Sequence, residues 1–102
     1  MGEAATAVDM ENVTEAPGSF VLIDVRGKDE WDAGHIEGAI HIVHTEIEKE
    51  IGDKVPDKNA SIKVYCRSGR RSGLAKKALL EMGYTNVKNL GGMEEAEGKL
   101  PK

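Results

Sequence analysis

Apolar and polar positions change period several times along the chain. Phe20-Val21-Leu22-Ile23-Asp24-Val25 is a nearly continuous apolar run, which suits a central strand covered on both faces of a parallel sheet. Lys28 to Gly34 predicts a short helix with Trp31 on its buried side, packed into the core. Gly34 to Gly38 reads as a loop and Ala39 to Val43 as a second short strand. Thr45, with Glu48 three residues later, has the form of a capping box. Ile47 and Ile51 give the helix that follows one apolar side. Gly52 to Ala60 is a polar loop carrying Pro56. Over Ser61 to Tyr65, Ile62 and Val64 alternate with Lys63, the pattern of a third strand. From Gly73 to Met82 the spacing turns helical. Ala75, Ala78, Leu79 and Met82 fall on one face and Lys76, Lys77 and Glu81 on the other, with Gly83 as a stop. Asn86 to Leu90 is a fourth strand, and Gly91-Gly92 permits a tight turn into a final helical turn, Met93 to Glu97. Strands alternating with helical stretches predict an α/β layered fold around a small parallel sheet.

With 102 residues the chain makes one domain. Residues 1–19 form an acidic lead-in, holding Glu3, Asp9, Glu11 and Glu15 without a basic residue, with a weak helix expected over Ala7 to Ala16. Residues 20–97 carry the folded domain and 98–102 a loose tail. Aromatic residues make up only 4%, so aliphatic side chains must fill the interior. The net charge of -4 argues against a general nucleic-acid binder. No apolar run is long enough to span a bilayer, and no signal peptide is visible. No apolar surface stripe stands out, so a monomer is the simplest expectation.

Local chemistry concentrates in Cys66-Arg67-Ser68-Gly69-Arg70-Arg71-Ser72. Cys66 is the only cysteine, so no internal disulfide can form. It falls where a strand ends and a helix begins. A Gly- and Ser-rich turn at a helix start can aim several backbone N–H groups at one point, and with the helix dipole behind them they favour a negative charge there. A thiol at that point ionises more easily, because its thiolate is the form that gains. Five basic residues and no acidic one lie between Cys66 and Lys77. The pattern points to a nucleophilic thiolate in a pocket that attracts anions, with Arg70 or Arg71, nearest the helix mouth, expected to matter most.

Asp24 and Arg26 follow at the carboxyl end of the first strand, where ligand crevices form in open α/β sheets. Arg26 is expected to support the site through an ion pair with Asp29 or Glu30 rather than by binding substrate. His41 and His44 are close in sequence, but no cysteine or carboxylate cluster completes a metal set. His35 is expected to bond to backbone rather than to serve as a base for Cys66.

The Cys66 to Ser72 stretch resembles the active-site loop of a single-domain rhodanese. Leu22-Ile23-Asp24-Val25-Arg26, Glu30-Trp31 and Gly34-His35-Ile36-Glu37-Gly38-Ala39-Ile40-His41-Ile42 resemble the family's first signature. Met82 to Val87, followed by Leu90-Gly91-Gly92-Met93, resembles its closing segment. The match covers about residues 20 to 96. With Val55-Pro56-Asp57-Lys58-Asn59 before the cysteine strand, it is nearest the small phage-shock-protein-E type. One departure stands after Gly91-Gly92, where many members carry an aromatic residue and this chain has Glu94-Glu95-Ala96. That departure leaves the pocket wall and the choice of acceptor open.

The resemblance implies the rhodanese-like three-layer fold. It also implies thiosulfate sulfurtransferase activity through a Cys66 persulfide, with Arg67, Ser68, Gly69, Arg70, Arg71 and Ser72 as the substrate cradle and no metal or organic cofactor. The partners it implies are thiosulfate as donor and cyanide, a thiol or a protein as acceptor. It further implies an exported, periplasmic protein whose signal has been removed, the alternative being a cytoplasmic one. Two other functions compete. One is a sulfur carrier or interaction module. The other is a cysteine phosphatase or arsenate reductase, whose pattern has five residues between Cys and Arg. Here only four separate Cys66 from Arg71, a tighter ring that suits one sulfur atom better than a tetrahedral phosphate.

Overall fold

The computed structural model describes residues 20–100; the expected acidic lead-in and its weak helix lie outside them. Four strands alternate with four helices: β1 (Val21–Asp24), α1 (Lys28–Ala33), β2 (Ile40–His41), α2 (Ile47–Lys54), β3 (Ile62–Cys66), α3 (Arg70–Glu81), β4 (Val87–Gly92) and α4 (Met93–Lys99). The sheet is fully parallel, in the order β2-β1-β3-β4. Val21 to Asp24 lie beside Ile62 to Tyr65 in unbroken register.

Side-chain alternation along the central strands divides the interior in two. Ile23, Ile62, Val64 and Cys66 face one side, with Ile47, Ile51, Ala75 and Leu79 of α2 and α3 closing over them. Leu22 and Tyr65 face the other, with Ile36, Leu90 and Ala96 of α4. This is the expected three-layer arrangement. Leu79, fully buried, illustrates what holds it. Covering a leucine of that size stabilises by about 1.5–3 kcal/mol.

The chain leaves β1 toward β2 on one side and returns to β3 on the other. The order therefore reverses between β1 and β3, and a crevice opens at their carboxyl ends. Arg26 and Cys66 both lie there.

Several local expectations need correction. The second strand is only Ile40–His41, shorter than Ala39 to Val43. Thr45 caps nothing. His44–Glu46 form a 3₁₀ turn that leads straight into α2 with no side-chain cap, so the expected capping box is absent. Helix α3 begins at Arg70 rather than Gly73. Strand β4 takes in Gly91 and Gly92, and α4 runs on through Lys99. Trp31 is not a core residue, because α1 buries none of its side chains. Its ring is half-buried between His35, 3.4 Å away between centroids, and His41, at 4.8 Å. Histidines stacked on a tryptophan cover part of its ring, and apolar patterning does not register that.

Candidate active site

Cys66 ends β3, and α3 starts four residues later. Gly69, the residue before α3, takes a left-handed conformation (φ 97°), and no side chain caps the helix. The cysteine sulfur fills that role. Gly69 N–H donates to Sγ at 2.9 Å, and the amides of Ser68 and Ser72 also act on it. Free N–H groups at a helix start prefer an anionic acceptor. Burial of the sulfur works to raise its pKa. The Ser72 hydroxyl and the amides of Ser72, Ser68 and Gly69 outweigh it, and the thiol sits below its ordinary value.

Ser72 is fully buried. Its hydroxyl lies 3.4 Å from Sγ and 2.6 Å from Asn89 Oδ1. One proton serves two acceptors, so the hydroxyl donates to Asn89 while Cys66 is a thiol and can turn to the sulfur when it ionises. Asn89 holds the loop at two further points. Its Nδ2 donates to the Gly69 carbonyl at 3.0 Å, and its Oδ1 accepts from Gly91 N–H at 2.9 Å. The local pattern around Asn89 marks it only as a strand residue. The available signal was an amide on the same side of β4 as buried Val87, two residues before a Gly-Gly pair.

Gly91 turns the chain into α4 at a positive φ of 92°, while Gly92 serves close approach. A Cβ on Gly92 would run into the Arg67 carbonyl, and a Cβ on Gly69 would lie 3.2 Å from Gly91 Cα. The cysteine loop and the β4 terminus therefore touch backbone to backbone, and the β3–β4 register shifts between Val64 and Cys66. Gly92 N–H in turn donates to Glu95 Oε1 at 2.9 Å, closing the first turn of α4.

Asp24 and Arg26 do come together, but Arg26 does not pair with Asp29 or Glu30 as expected. Its Nε and Nη2 donate to Asp24 at 3.0 and 2.8 Å, and Nη2 also reaches the Gly34 carbonyl at 2.6 Å. Two residues apart on an extended segment, the side chains share a face. Asp24 also accepts from Tyr65 Oη at 2.9 Å, and Tyr65 Oη accepts from Ile36 N–H at 3.0 Å. Asp24 is fully buried and Arg26 nearly so. Burial, followed in part by the Asp24 hydrogen bond and charge, pushes the Tyr65 hydroxyl up to about 12.

The arginines of the loop divide into two kinds. Arg71 is held in a fork by Glu30, with Nη1 to Oε1 at 2.7 Å and Nη2 to Oε2 at 3.0 Å. That hydrogen bond raises the Arg71 pKa against burial, and the charges of Glu30, Cys66 and Asp24 add to it. Glu30 is pulled down to about 2, chiefly by Arg71. Arg67 and Arg70 are exposed. Arg67 lines two cavities of about 320 and 340 Å³, each shared with Arg26 and Met93. So Arg67 borders open space, whereas Arg71 is tied to Glu30. The first cavity is also walled by Glu94 and Glu95, the residues that depart from the aromatic many relatives carry after the Gly-Gly pair. Cys66 itself is fully buried and lines neither cavity.

His35 Nδ1 meets the Trp31 carbonyl at 2.9 Å, the backbone bond expected of it. Among the described residues no group of three or more His, Cys, Asp or Glu side chains is placed to hold a metal ion, and no helix is long and apolar enough to cross a membrane.

A cysteine sulfur at a helix start, at the switch point of a small parallel sheet, defines a class that comparison with known proteins identifies. The Rhodanese-like domain family matches residues 5–99, and the chain belongs to the rhodanese family. It is 49% identical over 73 residues to thiosulfate sulfurtransferase PspE of Escherichia coli, covering 72% of this chain and 70% of that protein. It is also 35% identical over 80 residues to the thiosulfate:glutathione sulfurtransferase of Saccharomyces cerevisiae, covering 68% of this chain and 58% of the yeast protein. Among solved structures, a rhodanese with anions from E. coli superposes with a TM-score of 0.75 at 44% identity, covering 81% of this chain and 95% of that one.

Proposed function

We propose that the protein is a thiosulfate sulfurtransferase with Cys66 as nucleophile. The observation that carries this reading is the sulfur seated at the start of α3, 2.9 Å from the Gly69 amide. The Cys66 thiolate attacks the outer sulfur of thiosulfate. A new S–S bond forms, the donor's S–S bond breaks with its electron pair on sulfite, and Cys66 carries a persulfide anion. An acceptor nucleophile then attacks the terminal sulfur, and Cys66 leaves as thiolate. With cyanide the product is thiocyanate. Each half-reaction balances without an outside oxidant or reductant, as covalent ping-pong catalysis requires.

The amides of residues 67–72 hold the persulfide charge. Arg67 guides thiosulfate and helps sulfite depart. Arg70 contributes at longer range, and Arg71, braced by Glu30, adds fixed positive charge. Asp24 and Arg26 support the crevice wall. Because Cys66 is fully buried in this state, donor entry requires its cover to shift. The likeness to thiosulfate:glutathione sulfurtransferase supports a thiol as acceptor.

Intact-mass spectrometry tests the reading. Thiosulfate should add one sulfur atom, cyanide should remove it, and Cys66→Ser should gain none and lose thiosulfate:cyanide turnover. A Cys66→Ser protein that still turns over would end the proposal. Loading without turnover on any small acceptor would mark a sulfur carrier. Export belongs to the same proposal, supported by the phage-shock-protein-E resemblance, and a monomer is its simplest oligomeric state; cell fractionation and light scattering test them.

A further inference from the structure

Two large apolar side chains are left exposed among the described residues, Leu74 at 51% and Leu80 at 45%. Both are on α3, the helix that starts at the cysteine loop. At about 100° per residue, Leu74 and Leu80 lie about 60° to either side of Lys77, on the side away from buried Ser72, Ala75 and Leu79. Arg70 lies on the same outward face, one end of a basic line that runs from the cysteine loop to Lys77. Glu81, at the far end, is the only acidic residue of the helix. A groove of about 400 Å³ runs along this face between Gly73, Lys76, Lys77, Leu80 and Glu81.

Solitary exposed leucines need no explanation, but two flanking one line of cations form a patch with a character. Its charge opposes that of the chain as a whole, which is -4. From Arg70 to Leu80 the helix rises about 15 Å, farther than a small thiol can reach while its sulfur is at the cysteine loop. An occupant that uses both ends is a macromolecule with acidic groups for Arg70, Lys76 and Lys77 and an apolar side chain for the groove.

We propose that the outer face of α3 docks an acidic protein that accepts sulfur from Cys66 through a cysteine thiolate. This deepens the sulfurtransferase reading and rests on it. In the transfer the partner's thiolate attacks the terminal sulfur of the Cys66 persulfide. A partner persulfide forms and Cys66 departs as thiolate. Sulfur and electrons balance between the two cysteines, with no further reactant.

The probe is a synthetic peptide of about twelve residues, long enough when extended to run from the loop past Leu80. It has a cysteine near one end, and aspartates and leucines along its length. A second peptide replaces each aspartate with asparagine. Acceptor efficiency is read as sulfite released from thiosulfate. Binding is read separately, without turnover, by fluorescence anisotropy of the acidic peptide with its cysteine changed to serine. The acidic peptide should exceed the neutral one about tenfold in kcat/KM at low salt, an advantage that shrinks as salt rises. Lys77→Glu, and Leu74→Ser with Leu80→Ser, should each remove most of that advantage and of the binding, with thiosulfate:cyanide turnover unchanged.

Equal use of the two peptides, or an advantage that survives these substitutions, overturns the docking surface. Tighter binding of a single-stranded oligonucleotide than of the acidic peptide, lost in Lys77→Glu, overturns it in favour of nucleic acid. Absent cyanide turnover in the unmodified protein, with peptide binding intact and sensitive to Lys77→Glu, overturns the sulfurtransferase reading and leaves the surface standing.

Discussion

Replacing Ser72 with alanine removes the hydroxyl that lies 3.4 Å from the cysteine sulfur and keeps the Cβ that fills its buried place. The hydroxyl is the largest influence lowering the Cys66 pKa. A hydrogen bond to a charged group contributes about 1.5–3 kcal/mol. This one is long and draws on a proton that Asn89 holds at 2.6 Å, so the share that reaches the thiolate is about 1 kcal/mol. The Cys66 pKa should rise, moving the acid limb of persulfide formation upward. Well below the pKa, the thiolate fraction and the loading rate should fall about fivefold. The fold should hold, since Asn89 Oδ1 keeps the Gly91 amide at 2.9 Å. The assay is the rate of Cys66 alkylation by iodoacetamide against pH, beside Ser72→Thr, which restores a hydroxyl. If the curve for Ser72→Ala overlays that of the unmodified protein, the hydroxyl does not stabilise the thiolate and this account of the site is wrong.

Other perturbations test the frame around the sulfur. Gly92→Ala drives a methyl group against the Arg67 carbonyl; the loop must move, at a cost of about 1–3 kcal/mol, and sulfur transfer should drop more than stability does, as denaturation and turnover together would show. Asp24→Ala leaves Arg26 buried without its partner and should destabilise by about 3–5 kcal/mol in urea unfolding. Tyr65→Phe, which orphans the Ile36 amide, should cost about 1–3 kcal/mol. Glu30 is lowered from 4.5 to about 2, so its pairing with Arg71 stabilises the fold fully above its unfolded value and is lost as pH falls toward 2. The melting-temperature gap between the unmodified protein and Glu30→Gln should therefore be present at neutral pH and close across that acid window. Its size should be modest, because the pair is partly solvent-screened.

Short-range patterns carried most of the architecture. The apolar run Phe20 to Val25, the alternation at Ile62 and Val64 and the helical spacing of Ala75 and Leu79 each reflect neighbours a few residues apart, and each marks an element that formed. The cysteine's place between a strand and a helix was legible for the same reason. Boundaries were less so. Helix α3 reaches back to Arg70 because the sulfur, not a side-chain oxygen, accepts at its start, and residue type alone does not announce such a cap.

What the fold decided are contacts between residues far apart in the chain. Glu30 and Arg71 are 41 positions apart, as are Asp24 and Tyr65, and Ser72 and Asn89 are 17 apart. These pairings set which arginine Glu30 binds, and where the buried hydroxyl sends its proton. They depend on strand order, on β1 lying beside β3 and β3 beside β4. The sequence by itself placed a lone cysteine at a strand–helix junction, with the basic residues around it. Only the packed sheet, by bringing Gly91 and Gly92 against the loop and covering the sulfur, determined how that atom is held, because backbone contact across strands has no signature in local spacing.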